Sequence, residues 1–207
     1  MKNANIAVGL LSATVFCLTF SAAATAADVN KLIEPCTACH GKDGNTTEAD
    51  VPNIAGYSVE YFASAFKKYN KQERPCVETE VRSGSGKGTK TDMCKSIKDL
   101  SEGDLNQIAE YFAGKTFVRT AQTTDPALVK KGKSIHEKKC ENCHSEAGSF
   151  PSDNAGMLGG QKMSYLKSQL KLFREGKRPM TKKMKPKLES LDDAEIEAVV
   201  HYYGSIQ

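Results

Sequence analysis

Between residues 58 and 71 the apolar side chains Tyr61, Phe62, Ala65, Phe66 and Tyr69 fall at i, i+1, i+4, i+5 and i+8. That spacing lines one face of a helix. Residues 162–175 repeat it through Tyr165, Leu166, Leu170 and Phe173, with Gln169 as one polar break. Two later stretches, "SEGDLNQIAEYFAG" and "DDAEIEAVVHYYG", open on capping-box pairs, Ser101 with Asp104 and Asp192 with Glu195. Each runs to a glycine, a common helix stop. Upstream, "DVNKLIEPC" and "PALVKKGKSIHEKKC" read as two more helices. No segment alternates with period two, so an all-α fold is expected.

These elements come in two sets. Cys36 and Cys140 lie 104 positions apart, as do Cys39 and Cys143, Tyr61 and Tyr165, Arg74 and Arg178, and Pro75 and Pro179. Past "CVETEVRSGSGKGTKTD" the offset falls to 91, which relates Leu100 to Leu191 and Tyr111 to Tyr202. The first copy therefore holds 13 extra residues, in a Gly/Ser/Lys stretch that reads as a loop. Two tandem domains are expected at 28–115 and 126–207, joined by a linker at 116–125.

The first 27 residues do not fit either copy. Lys2 precedes an apolar run over residues 6–20, which ends in small residues around Ala24, Ala26 and Ala27. This reads as a secretory signal peptide cleaved near Ala26–Ala27. The run is short against the roughly 20 apolar residues of a bilayer span, and no later stretch is apolar enough to replace it. A periplasmic, exported chain without a transmembrane span is expected. Cys17 leaves with the leader, and six cysteines remain in an oxidising compartment.

Four of those six sit in "CTACH", residues 36–40, and "CENCH", residues 140–144. The pattern C-x-x-C-H is the attachment signature of c-type haem. Cys36, Cys39, Cys140 and Cys143 would bond the porphyrin vinyl groups, and His40 and His144 would supply the proximal nitrogen to iron. A redox dithiol has no need of the histidine, and a zinc site needs four ligands together. Two c-type haems are therefore expected, and the aromatic stripes would pack around them.

The repeat also selects the second iron ligand. Met93 lies seven residues before Leu100, and Met184 seven before Leu191. Both precede a capped closing helix, on a loop expected to face the open side of the haem, and a thioether favours reduced iron. Met180 is the alternative in the second copy. Met157 and Met163 align with Asn53 and Val59 and read as gap fillers. His136 and His201 have no counterparts in the first copy; His136 reads as a surface residue and His201 as a packing or surface residue. Cys76 and Cys94 flank the extra loop. They would form a disulfide that limits the swing of Met93, remain free thiols, or offer a sulfur to iron. Arg74, Arg178, Tyr61 and Tyr165 are candidate partners of haem propionates, and the arginines could equally be solvated charges.

Charge separates the copies. Residues 28–118 carry 12 Lys and Arg against 14 acids, net −2, and residues 119–207 carry 16 against 11, net +5. Much of the excess surrounds the second Met loop, in "REGKRPMTKKMKPK". Such a face can steer an acidic redox partner. A nucleic-acid role does not suit an exported chain.

Paired C-x-x-C-H domains, each with a Met before its last helix, resemble the diheme class I cytochromes c of the c4 type. The stretches "FREGKRPMTKKMKPKL" and "KSIHEKKCENCHSEAG" resemble the cytochrome subunit of flavocytochrome c sulfide dehydrogenase. This resemblance implies an electron-transfer subunit, not an enzyme on its own. Its donor would be a flavoprotein or other redox protein, and its acceptor a downstream cytochrome or oxidase. A free shuttle to a terminal oxidase or from a thiosulfate dehydrogenase is the alternative. A haem enzyme, which needs an open iron site, is the third.

Overall fold

The computed structural model describes residues 26–207. Residues 1–25, which hold Cys17 and nearly all of the expected leader, lie outside the described residues. Among those described, no helix is long and apolar enough to cross a membrane.

Helix α1 (Ala26–His40) leads into α2 (Val59–Asn70). Ser58 caps α2 by accepting from the Tyr61 backbone N–H. A two-residue ribbon, β1 (Thr79–Glu80) with β2 (Lys90–Thr91), is followed by the short α3 (Met93–Ile97) and by α4 (Glu102–Ala113). The second set is α5 (Pro126–Lys139), a kinked turn α6 (Ser145–Gly148), α7 (Met163–Arg174), a short α8 (Lys185–Glu189) and α9 (Asp193–Gly204). Both capping boxes form as expected, Ser101 with Asp104 and Asp192 with Glu195. The α2 and α7 ends fall within one residue of the apolar pattern.

The extra loop differs from the sequence expectation. Its arms pair antiparallel, Thr79 with Thr91 and Glu80 with Lys90, where no strand was expected. Thr residues and a glycine-rich tip allow the short hairpin, yet the alternation is too brief to register as a strand pattern. At its base Cys76 and Cys94 are joined by a disulfide, with 5.6 Å between Cα atoms.

Each set packs its own core. Ile33, Phe62, Phe66, Ile97, Ile108 and Phe112 fill the first. Leu166, Leu188, Leu191, Val199, Val200 and Tyr203 fill the second. In the second core α5 and α9 touch backbone to backbone. A Cβ added at Gly132 would stand 2.0 Å from the Ala198 carbonyl oxygen, so only glycine permits this crossing.

The two sets meet along a polar seam. The Asn53 N–H donates to Gln161 Oε1 at 3.1 Å, and Gln161 Nε2 donates to Asn53 O at 2.8 Å. The Tyr57 hydroxyl donates to the Met157 carbonyl at 3.3 Å. Met157 fills a gap as expected, but in the first copy's core rather than its own.

Candidate haem sites

The first site forms at the end of α1. Cys36 and Cys39 stand three residues apart on that helix, and His40 closes it. Gly41 then turns the chain at a φ of +78°, where a Cβ would stand 2.0 Å from the Asn45 carbonyl oxygen. His40 is buried, and its Nδ1 lies 3.0 Å from the Pro52 carbonyl. A carbonyl only accepts, so Nδ1 carries the proton and donates. The Nε2 lone pair is then free for a metal, the usual arrangement of a ligating histidine. Burial holds the His40 pKa below the ordinary imidazole range. The Pro52 bond opposes this, and the charges of Lys162 and Arg74 reinforce it.

The second site forms just beyond α5. Cys140 caps that helix, and the turn continues through His144 N–H to Cys140 O at 3.0 Å. His144 Nδ1 is buried without a hydrogen-bond partner. Burial again lowers the pKa, the neighbouring His136 adds to this, and Asp153 opposes it. Asp153 holds the following turn by accepting from the Ser145 N–H at 2.6 Å.

The donor set fits covalent haem, with two thiols and an adjoining imidazole at each motif. All four motif cysteines are free. Burial pushes the Cys36 thiol up to about 11, and burial also raises Cys140. Both thiols are free to form thioethers with a porphyrin. Among the described residues, the group of His, Cys, Asp and Glu close enough to hold a metal is Cys76, Asp92 and Cys94. Its two sulfurs are already consumed by the disulfide, which also removes the readings of free thiols or a sulfur on iron.

Both methionines stand beside the cores as the repeat requires. Met93 opens α3 and packs against the first core, behind an Asp92 cap that accepts from Lys95 N–H. Met184 occupies the cap of α8 and packs against the second core, and Met180 packs there too. The expected loops are thus the starts of two short helices, absent from the sequence reading because five residues carry too little periodicity.

One histidine expectation changes and the other holds. His136 is fully buried, not on the surface. Its Nδ1 meets the Tyr203 hydroxyl at 2.9 Å, and its Nε2 meets Glu141. The face of α5 that carries it turns inward onto α9. His201 is half-buried and holds the start of α5, accepting from the Asp125 N–H at 3.0 Å.

The arginines and tyrosines converge across the seam. Arg74 Nη2 donates to the Tyr165 hydroxyl of the other copy at 2.8 Å and lies over the Tyr69 ring at 4.7 Å. Arg178 lies over Phe173 at 4.3 Å and donates to Gln169. Burial would raise the Tyr61 hydroxyl, but the charges and hydrogen bonds of Arg74 and Arg178 bring it below the ordinary phenol range. Arg74 is buried, so the solvated reading fails for it, and among the described residues no carboxylate pairs with it. A buried cation calls for an anion, and a haem propionate is one.

Residues 127–202 match the family described as cytochrome c oxidase, cbb3-type, subunit III. The chain is 32% identical over 181 residues to cytochrome c4 of Stutzerimonas stutzeri, covering 81% of this chain and 82% of that one. It is 26% identical to the thiosulfate dehydrogenase electron acceptor of Thiomonas intermedia, over 82% of this chain and 76% of that one. The crystal structure of reduced recombinant cytochrome c4 from Pseudomonas stutzeri superposes with a TM-score of 0.70 at 28% identity, over 88% of this chain and 98% of that one. Two helical domains, each built around its own c-type haem, make this chain an electron-transferring member of the cytochrome c4 family.

Proposed function

We propose that this cytochrome accepts electrons in the periplasm from a sulfide-oxidising flavoprotein and delivers them to a downstream cytochrome or oxidase. Each haem iron supplies one-electron cycling between ferric and ferrous states. Cys36 and Cys39 hold one haem and Cys140 and Cys143 the other, within domains at 28–115 and 126–207 joined through 116–125. His40 and Met93 ligate the first iron, and His144 and Met184 the second. With a histidine and a methionine of the chain to hold each iron, neither would be open to substrate, which favours a carrier over an enzyme. Arg74, Arg178, Tyr61 and Tyr165 neutralise and orient propionates at the seam.

The observation that carries the partner reading is the ring of exposed cations about the second site. Lys182, Lys183, Lys185 and Lys187 surround the half-buried Met184. An acidic donor would be steered there and would meet the second haem first. The resemblance of residues 133–148 and 173–188 to the sulfide dehydrogenase cytochrome subunit supports a flavoprotein as that donor. A thiosulfate dehydrogenase is the second reading, favoured by the relative from Thiomonas intermedia.

The test is stopped-flow reduction of the purified holo-cytochrome by a sulfide-oxidising flavoprotein and, separately, by a thiosulfate dehydrogenase. Rapid reduction by the first supports the proposal. Reduction by the second alone transfers the assignment to thiosulfate. No reduction by either sinks the sulfur-donor reading.

A further inference from the structure

We propose that Lys162, a residue of the second copy, sets the reduction potential of the haem held by the first copy. Lys162 is 3% exposed, and its Nζ donates to Asn53 Oδ1 across the seam at 2.6 Å. Asn53 directly follows Pro52, whose carbonyl orients the His40 imidazole. The buried ammonium thus reaches the short segment that holds the first iron's ligand. Among the described residues no carboxylate pairs with it, and Glu48 offsets its charge only from a distance.

A fixed positive charge in a poorly screened interior disfavours the more positive oxidation state of a nearby iron. Lys162 therefore favours ferrous iron in the first domain. Among the described residues no matching lysine is buried at the second site, and the cations about Met184 are exposed and screened by solvent. The repeat places Ser58 where Lys162 stands, and Ser58 caps its own helix. Beside His144 groups of both kinds stand close: the buried His136 meets Glu141, and Asp153, where the first copy has Ala49, accepts from the Ser145 N–H. Lys162 leaves α7 without a side-chain cap and buries a charge, two local costs that a serine would avoid. Lys162 thereby raises the potential of the first haem, which favours passage of an electron from the second domain to the first.

The inference rests on His40 being the first iron's proximal ligand. The test is spectroelectrochemical titration of the holo-cytochrome and of Lys162→Met, Lys162→Gln and Lys162→Arg. A Met93→His variant identifies the first haem's wave. Both neutral variants are expected to move that wave to lower potential by about tenfold in the ferric–ferrous equilibrium, which is about 59 mV for one electron. The second wave and the long-wavelength thioether–iron absorption stay in place, and Lys162→Arg stays near the parent. Lys162→Gln keeps a partner for Asn53, so it separates charge from packing. Unmoved waves in a folded neutral variant, or an equal shift in Lys162→Arg, overturn the proposal. A preparation with one wave and one haem by mass would instead refute the ligand assignment beneath it.

Discussion

A single carbonyl, that of Pro52, settles which nitrogen of His40 would be left for iron. Substitutions at the methionines test the proposed ligand set most directly. Met93→Leu is expected to remove about half of the thioether–ferric absorption and to open one iron to carbon monoxide. Met184→Leu is expected to remove the other half, and Met180→Leu to remove none. Absorption and carbon monoxide difference spectra check each. Lys162 adds a pH dependence. Burial lowers its folded pKa to about 8 from 10.5, with Glu48 opposing. Below about pH 8 the folded protein carries a buried charge at a cost in stability. Between about 8 and 10.5 the unfolded chain binds more protons, so this term makes stability rise with pH. Denaturant unfolding of the parent relative to Lys162→Met should show the parent gaining from pH 7.5 to pH 10, while groups common to both cancel.

At the scale of elements, the 13-residue insertion is more than an ornament on the first domain. Its hairpin closes on the Cys76–Cys94 disulfide, and Cys94 follows Met93 within α3. The bond tethers the start of α3 to the chain leaving α2. Removing it in Cys76→Ser/Cys94→Ser is expected to lower stability by about 3 kcal/mol, the range for a loop of this size. It should also release Met93 first. On heating, the first domain's thioether absorption should vanish before the second's, whereas the parent loses it later.

The whole molecule is two domains whose shared face is polar and whose outer faces differ in charge. Asn53, Tyr57, Gln161 and Lys162 bond across the seam, and Arg74 meets Tyr165 there. The basic excess lies on the second domain. Changing Lys182, Lys183, Lys185 and Lys187 to Glu should slow reduction by an acidic donor about tenfold or more at low salt. Stopped-flow traces at rising ionic strength should bring the two proteins together, because salt screens the steering. A parent rate indifferent to salt would remove the docking face from consideration.

What the sequence alone determined is what short-range chemistry specifies. Two C-x-x-C-H motifs, the 104-residue repeat and the caps at Ser101 and Asp192 are legible because their parts lie within a few positions of one another or recur in register. The helix faces of α2 and α7 follow from apolar spacing. The repeat also located Met93 and Met184 beside their cores. Only the tertiary structure decided that His136 turns inward, that Met157 fills the neighbouring core, and that Arg74 is buried beside Tyr165. It alone placed Lys162 on Asn53, 109 positions away. A helical repeat says which face of an element is apolar, not which partner covers it. Contacts between copies depend on how two finished domains dock, and docking is set by complementary surfaces assembled from distant parts of the chain.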